Sequence, residues 1–230
     1  MRRFGFALVA VEAARPAVPT RRSLLERYSV SVVIDVGANT GQFARTVRAE
    51  GYRGRVVSFE PVADAFDELA RRAARDPAWD CRRLALGNRD GVAEIHVARN
   101  SVSSSLLTVL DRHVSAAPAA RAARAERVPI ARLDSVAGEL LPAAGAAYLK
   151  LDVQGSELDV LRGGEATLAR VAAIEAELSL VPLYGGQPLF ADVLDWLDVA
   201  GFNLVSLEQG FTDPGTGQLL QLEGLFVRRL

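Results

Sequence analysis

Residues 30–41 read VSVVIDVGANTG. The first seven form a near-continuous apolar run rich in β-branched side chains, as expected for a strand buried on both faces. The run ends in a small-residue loop, and QFARTVRAEG follows with helical spacing, Phe43 and Val47 on one face and Gly51 at the stop. A buried strand, a glycine-containing turn and a helix are the opening unit of a doubly wound α/β sheet.

The pattern continues outward. RVVSFE (55–60) reads as a second buried strand, and Pro61 opens a helix over VADAFDELARRAARD. WDCRRLAL (79–86) reads as a third strand, and Asp90-Gly91 as a hairpin turn into VAEIHVA (92–98). Residues 100–107 form a polar loop, and 111–127 are rich in Ala and Arg with room for one helix. RVPIARLDSVAGEL (127–140) predicts a short strand, then a helix capped near Asp134 or Ser135. AAYLKLDV (146–153) and VAAIEAEL (171–178) are strands separated by one helix or two short ones, and 188–201 is an amphipathic helix ending at glycine. FNLVSLE (202–208) and QLLQLEGLFVRR (218–229) flank the turn DPGTG, so the last two strands pair antiparallel. The fold class expected is therefore a doubly wound, Rossmann-like α/β sheet, mostly parallel and closed by a C-terminal antiparallel hairpin. A dinucleotide dehydrogenase would continue with another βαβ half. The expected organisation is a lead-in with a short helix over 1–29, then one domain over 30–230 with a substrate-side insert around 100–127.

Composition narrows the function. With 230 residues, half of them apolar, the chain can bury one sizeable core. Net charge is −1, no basic stripe is visible, and there is no N/D-P-P-Y/F motif, so a nucleic-acid partner is not expected. One cysteine, Cys81, rules out an intrachain disulfide framework and cysteine-cluster metal sites. No stretch reaches the length of a membrane span. MRRFGFALVAVEAARPA faintly resembles a signal peptide, but Glu12 cuts the apolar run short; residues 1–20 read as a lead-in or short packed strand, and the expected location is cytoplasmic. Among 27 basic residues only Lys150 is a lysine, against an arginine bias, which marks it as a position that wants an ammonium.

Ligand-facing residues belong at the carboxyl ends of the strands. The helix after Gly41 presents unpaired N–H groups to an anion, phosphate or carboxylate. Asp35 would repel a pyrophosphate but suits an α-ammonium, and an ammonium beside a carboxylate is the methionine half of S-adenosylmethionine. Glu60, ending the second strand, can accept both ribose hydroxyls, as also happens in NAD sites. The D-x-G-x-x-x-G pattern, rather than G-x-G-x-x-G, favours the methyl donor. In YLKLDVQGSE, Lys150, Asp152 and Gln154 share one strand face, and in IEAEL Glu175 and Glu177 do. Such carboxylates suit a general base or a hard metal.

IDVGANTGQFA, VVSFEP, LALGNRDG, SVSSSLL, RLDSV, YLKLDVQGSELDVLRGGEATL, EAEL, LYGGQP and EGLFVRR, in this order, resemble the FkbM-type methyltransferase family over about residues 30–229. The resemblance implies S-adenosylmethionine-dependent O-methylation of a sugar, polyketide or other secondary metabolite, as in natural product biosynthesis. It implies that Asp35, Gly37, Asn39 and Gly41 cradle the donor, that Glu60 holds its ribose, and that Ala85, Leu86 and Gly87 lie near the adenine; Ala38, Pro61 and Asp152 complete the donor set. Glu223 departs from the family pattern, which commonly has Asp there.

Methyl transfer to an alcohol needs alignment and a place for the hydroxyl proton. Asp152 and Glu177 lead as bases, with His113 as a third candidate, and Lys150 would orient Asp152 or lower the hydroxyl pKa. A divalent metal such as Mg²⁺ on Asp152 and Glu177 is an option that lacks a third ligand. Ser104, Gln154 and Tyr184 are the expected contacts to a small hydroxylated acceptor. Two other readings stay open: a nicotinamide-dependent oxidoreductase, and a non-catalytic S-adenosylmethionine-binding module. The oligomeric state, a homodimer included, is also open.

Overall fold

The computed structural model describes residues 18–141 and 145–229. The expected lead-in over 1–20 falls almost wholly outside them. Eight helices and ten strands follow in order: α1 (Arg21–Arg27), β1 (Val30–Val36), α2 (Gln42–Ala49), β2 (Arg55–Phe59), α3 (Ala63–Ala73), β3 (Trp79–Arg82), β4 (Ala85–Gly87), β5 (Gly91–Ala98), α4 (Asp111–Ala116), β6 (Ala122–Arg132), α5 (Leu133–Leu140), β7 (Ala146–Leu151), α6 (Glu157–Arg162), α7 (Glu165–Leu168), β8 (Val171–Ser179), α8 (Phe190–Val199), β9 (Phe202–Gln209) and β10 (Gln221–Arg228). Two single 3₁₀ turns, 101–103 and 118–120, lie within the insert.

Seven strands form the main sheet in the order β3-β2-β1-β7-β8-β10-β9. The first five run parallel, and β10 lies antiparallel between β8 and β9. This is the doubly wound sheet with a terminal antiparallel hairpin that the sequence predicts. The order reverses between β1 and β7, and the crevice at such a reversal is where ligands bind in open α/β sheets.

The two faces carry separate cores. Val32, Ile34 and Val36 of β1 point to one face, where Leu140, Leu158, Leu161, Val193 and Leu197 from α5, α6 and α8 close over them. Val33 points to the other, beside Leu24 and Leu25 of α1, Val47 of α2 and Leu69 of α3. Both faces of the central strands are thus covered, which is why they lack polar alternation. The exceptions lie on the second face. There the register aligns Ser58, Asp35, Lys150 and Glu175 across β2, β1, β7 and β8, and each is buried.

Four local expectations are corrected. The 79–86 run is two strands: β3 joins the main sheet, whereas β4 pairs parallel with β6 in a second, three-stranded sheet of order β4-β6-β5. Asp90-Gly91 therefore leads into β5 without making a β4–β5 hairpin, because β6 lies between those strands. Residues 122–132 are strand throughout, despite helix-favouring Ala, Arg and Glu, because β5 offers an antiparallel partner from Ala122 to Ile130 and β4 a parallel one from Ile130 to Arg132. Pro129 is tolerated there because β4 reaches only from Ile130 to Arg132 on the other side. Asp134 does not cap its own helix. Its Oδ1 accepts from the Thr167 backbone N–H at 2.8 Å and the Thr167 hydroxyl at 2.7 Å, so it caps α7 instead.

Besides the packing of Leu24 and Leu25, a polar contact ties α1 to the sheet. Arg21 donates to both oxygens of Glu175, at 2.7 and 2.6 Å, and to Glu50 at 2.8 Å, while the Tyr148 hydroxyl reaches Glu175 at 2.5 Å. Despite burial, these bonds, with the Lys150 charge, hold the Glu175 carboxyl below its usual range. Arg21→Ala leaves a buried carboxylate without its bidentate partner. Urea unfolding should show a loss of about 2–3 kcal/mol with little change in m-value, and the loss should shrink as pH falls and Glu175 protonates.

Candidate functional site

The crevice opens where β1 ends. Gly37 has φ +81°, and a Cβ placed there would sit 1.8 Å from the carbonyl oxygen of Asp152. Only glycine permits this meeting of the β1 and β7 termini. The backbone N–H groups of Gly37 and Ala38 both donate to the Phe59 carbonyl, which fastens the turn to β2. Asn39 also has positive φ; its N–H donates to Glu60 Oε2 at 2.9 Å and its side-chain amide to Ser101 Oγ at 3.0 Å. Gly41 lies against the Trp79 ring, which a Cβ would meet at 2.6 Å.

A cleft of about 520 Å³, its open mouth included, runs from this turn towards β4 and β5. Gly37, Asn39, Glu60, Pro61, Ala85, Leu86 and Asp152 of the expected donor set line it, with Ser104 and Gln154 of the expected acceptor set. Asp35 and Ala38 line an adjoining hollow with Lys150 and Asp152. Gly41 and Gly87 line neither. Gly41 packs on Trp79, and Gly87 lies behind the wall, where its carbonyl leaves no room for a Cβ on Gly163.

Glu60 is poised as an acceptor. Oε1 takes the Val62 N–H at 2.8 Å and Oε2 the Asn39 N–H at 2.9 Å, which leaves each oxygen a further lone pair. Burial pushes its pKa up to about 7, against the pull of these two bonds. Asp35 is 1% exposed. Its Oδ2 accepts from Ser58 Oγ at 2.8 Å, and Ser58 Oγ accepts from the Trp79 indole N–H at 3.0 Å. Burial pushes Asp35 up to about 7 as well, opposed by Ser58 and Lys150.

Beyond the turn lies a cluster of acids around the chain's one lysine. One carboxylate oxygen each from Asp152, Glu177 and Glu223 lie within 4.8 Å of one another. Lys150 Nζ donates to Glu223 Oε2 at 2.8 Å. Burial works against the ammonium, but Asp152, Glu223 and Glu175 outweigh it and hold Lys150 above its usual range. Glu177 is pushed well above the carboxylate range by burial and by Asp152, Glu157 and Glu223. Glu223 is pushed up by burial despite Lys150, because one ammonium is shared among several acids. Oxygen-only ligands are the set that Mg²⁺ or Ca²⁺ takes. Glu223 supplies the third carboxylate that the sequence reading lacked, brought opposite Glu177 by the β8–β10 register.

Gln154 knits the cluster together. Its Nε2 donates to Asp152 Oδ1 and Glu177 Oε2, both at 2.8 Å, and its Oε1 accepts from the Tyr184 hydroxyl at 2.7 Å. Gln221 Nε2 adds a 2.6 Å bond to Glu177 Oε2.

Four expected roles are corrected here. Tyr184 is 1% exposed, so it supports Gln154 from behind and is not placed to stack on an acceptor. The Gln154 amide is spent within the protein. His113 is buried in α4 against Tyr184, at a ring separation of 5.1 Å, and Phe211, at 5.6 Å; it lines neither the cleft nor the adjoining hollow, and burial pushes its pKa down. Glu175 is taken by Arg21 and Tyr148. Sequence reasoning missed Ser58, Trp79, Gln221 and the part played by Glu223. Ser58 follows Glu60 by strand alternation and could have been read; the others depend on register between distant segments.

A glycine turn at the sheet reversal, an acid at the end of each of the first two strands, and a terminal antiparallel hairpin together define the class I methyltransferase fold. The structure of magnesium protoporphyrin IX methyltransferase from Synechocystis, solved with bound S-adenosylmethionine, shares this fold, with a TM-score of 0.50, 10% identity, and coverage of 90% of this chain and 74% of that one. The methyltransferase FkbM domain family matches residues 35–204, and the chain belongs to it. Membership implies S-adenosylmethionine-dependent methylation. Among curated relatives, the AMB antimetabolite synthetase AmbE of Pseudomonas aeruginosa is 29% identical over 177 residues, which span 64% of this chain and 8% of that protein. The 2-O-methyltransferase NoeI of Sinorhizobium fredii is 29% identical over 193 residues, 80% of this chain and 76% of that protein.

The cluster's electrostatics can be checked without any ligand. A carboxyl whose folded pKa lies above its unfolded value costs stability as pH rises through the unfolded value, and the cost stays once pH passes the folded one. Glu177→Gln keeps an oxygen for Gln154 and Gln221 but removes that cost. In buffer containing chelator, the variant should melt above the wild type at pH 8, and the two should converge near pH 4.

Proposed function

We propose that this chain transfers the methyl group of S-adenosylmethionine to a hydroxyl of a small molecule, a sugar or another secondary metabolite. The observation that carries the reading is the grouping of strand-end acids at the glycine turn: Glu60 and Asp152 line the cleft, Asp35 and Asp152 line the adjoining hollow, and Glu177 stands next to Asp152. The bound donor supplies an electrophilic sulfonium methyl. Glu60 offers its uncommitted lone pairs to the ribose hydroxyls, and Asp35 faces the α-ammonium. Ala85 and Leu86, with Leu84 and Ile95, form an apolar wall that excludes water from the adenine. Asp152 lines both the cleft and its adjoining hollow and stands beside Glu177 through Gln154. One of these two carboxylates takes the acceptor's proton, and the raised pKa of Glu177 suits it to hold that proton near neutral pH. Lys150 keeps the acid pair from mutual repulsion.

Support for an oxygen acceptor comes from the carboxylate pair and from the relative NoeI, a 2-O-methyltransferase. The near-neutral net charge favours a small-molecule acceptor over a nucleic acid. No helix among the described residues is long and apolar enough to cross a membrane; we take the setting to be cytoplasmic. Against a nicotinamide oxidoreductase stands Asp35, whose charge would oppose a pyrophosphate. A non-catalytic donor-binding module would bind the donor and leave every acceptor unmethylated.

Isothermal titration with S-adenosylmethionine and S-adenosylhomocysteine, with and without Mg²⁺, tests the reading. Micromolar binding, weakened at least about tenfold by Asp35→Ala, is the expected result. A folded protein that binds neither compound but does bind NADH would overturn it. A Mg²⁺-dependent gain lost in Glu223→Gln would assign a cation to Asp152, Glu177 and Glu223. With hydroxylated acceptors, removing the carboxylate that acts as the base, by Asp152→Asn or Glu177→Gln, should cut turnover by roughly 10²–10⁴.

A further inference from the structure

We propose that Trp79 and Ser58, neither of which lines the donor cleft, are positioning residues that aim Asp35 at the donor's α-ammonium and keep its carboxylate ionised. The inference rests on the proposed donor site and adds two residues to it.

The direction of the hydrogen bonds carries the argument. An indole N–H can only donate, so Trp79 must give its proton to Ser58 Oγ, at 3.0 Å. The single Ser58 proton is then left for Asp35 Oδ2, at 2.8 Å. A proton on that Asp35 oxygen would face the serine proton head-on. The chain Trp79→Ser58→Asp35 therefore runs in one direction and ends in an O–H donated to Oδ2, a bond that is stronger to a carboxylate than to a neutral carboxyl. Ser58 and Asp35 are adjacent in register on β2 and β1, and all three residues are buried, so water does not replace either bond.

The same indole ring is the surface on which Gly41 rests, where a Cβ would come within 2.6 Å. One side chain from the third strand thus sets both the glycine turn and the acid that the turn presents. The charged groups facing Asp35 from its neighbours are Lys150 on β7, Asp152 just beyond it and Glu175 on β8, with Glu60 at the end of β2. Burial opposes the charge most and the neighbouring acids add to it, while the serine bond, ahead of Lys150, favours the carboxylate.

The test uses S-adenosylhomocysteine, which carries the same α-ammonium, in titrations from pH 5.5 to 8.5. Wild-type affinity should rise with pH as Asp35 ionises. Ser58→Ala removes a donor to the carboxylate, which favours the protonated form. Its affinity at pH 7 should fall roughly tenfold, and the midpoint of the pH profile should move up by about one unit. Trp79→Phe removes the N–H together with the distal ring atoms on which Gly41 rests, so its overall affinity falls at every pH while its midpoint, which reads the lost bond, should move in the same direction as in Ser58→Ala by less. A purely structural role would weaken binding by one factor at every pH. An unmoved midpoint in both folded variants would therefore overturn the proposal. No binding by wild type at any pH would instead bring down the donor-site reading, and this inference with it.

Discussion

Everything at the functional end of this molecule depends on one close approach of backbone to backbone. At Gly37 the chain leaving β1 passes over the carbonyl of Asp152 at a distance that admits no side chain. The Asp152 N–H donates to Val36, and the Gly37 and Ala38 N–H groups donate to Phe59. Three parallel strands are locked together at their carboxyl ends by these bonds. The crevice on one side of the lock holds the acids that suit a donor, and the acids on the other side suit the removal of a proton. A larger residue at position 37 would separate the two halves of the site before it touched any ligand.

The second organising fact is the scarcity of cationic charge behind that lock. Lys150 is buried with carboxyls on three sides, and Arg21 is taken up by Glu175 and Glu50. Burial raises the proton affinity of Asp35 and Glu60, and neighbouring acids raise it further. Both carboxyls therefore stay near their switching point at physiological pH. Such groups respond strongly to an arriving cation, as a sulfonium compound with an α-ammonium would be.

Much of this was legible in the sequence because the main sheet is built from local patterns. Buried strands announce themselves as β-branched runs, and the turn at 37–41 declares itself through two glycines and an acid. The terminal hairpin was readable from DPGTG. What stayed hidden depends on pairing between distant segments. Nothing in WDCRRLAL says that its second half will join β6, whose own Ala- and Arg-rich composition argues for helix. Glu223 gains its meaning only from facing Glu177 across two antiparallel strands. The failures at His113 and Tyr184 have a different cause. Both residues have chemistry suited to a site, and sequence cannot say whether such a side chain faces a cleft or its supporting wall.

The three-stranded sheet has an evolutionary consequence. β5, the polar loop, α4 and most of β6 form a unit that pairs chiefly with itself, while β4 brings Ala85 and Leu86 to the donor cleft. Recombination between relatives could therefore exchange the stretch from Gly91 to Pro129, which contributes Ile95 to the apolar wall and Ser101 beside Asn39, and leave the backbone of the glycine turn, the strand-end acids and Leu84, Ala85 and Leu86 in place. A lineage built this way can diversify what it modifies by trading one contiguous segment, without rebuilding the part that holds its reagent.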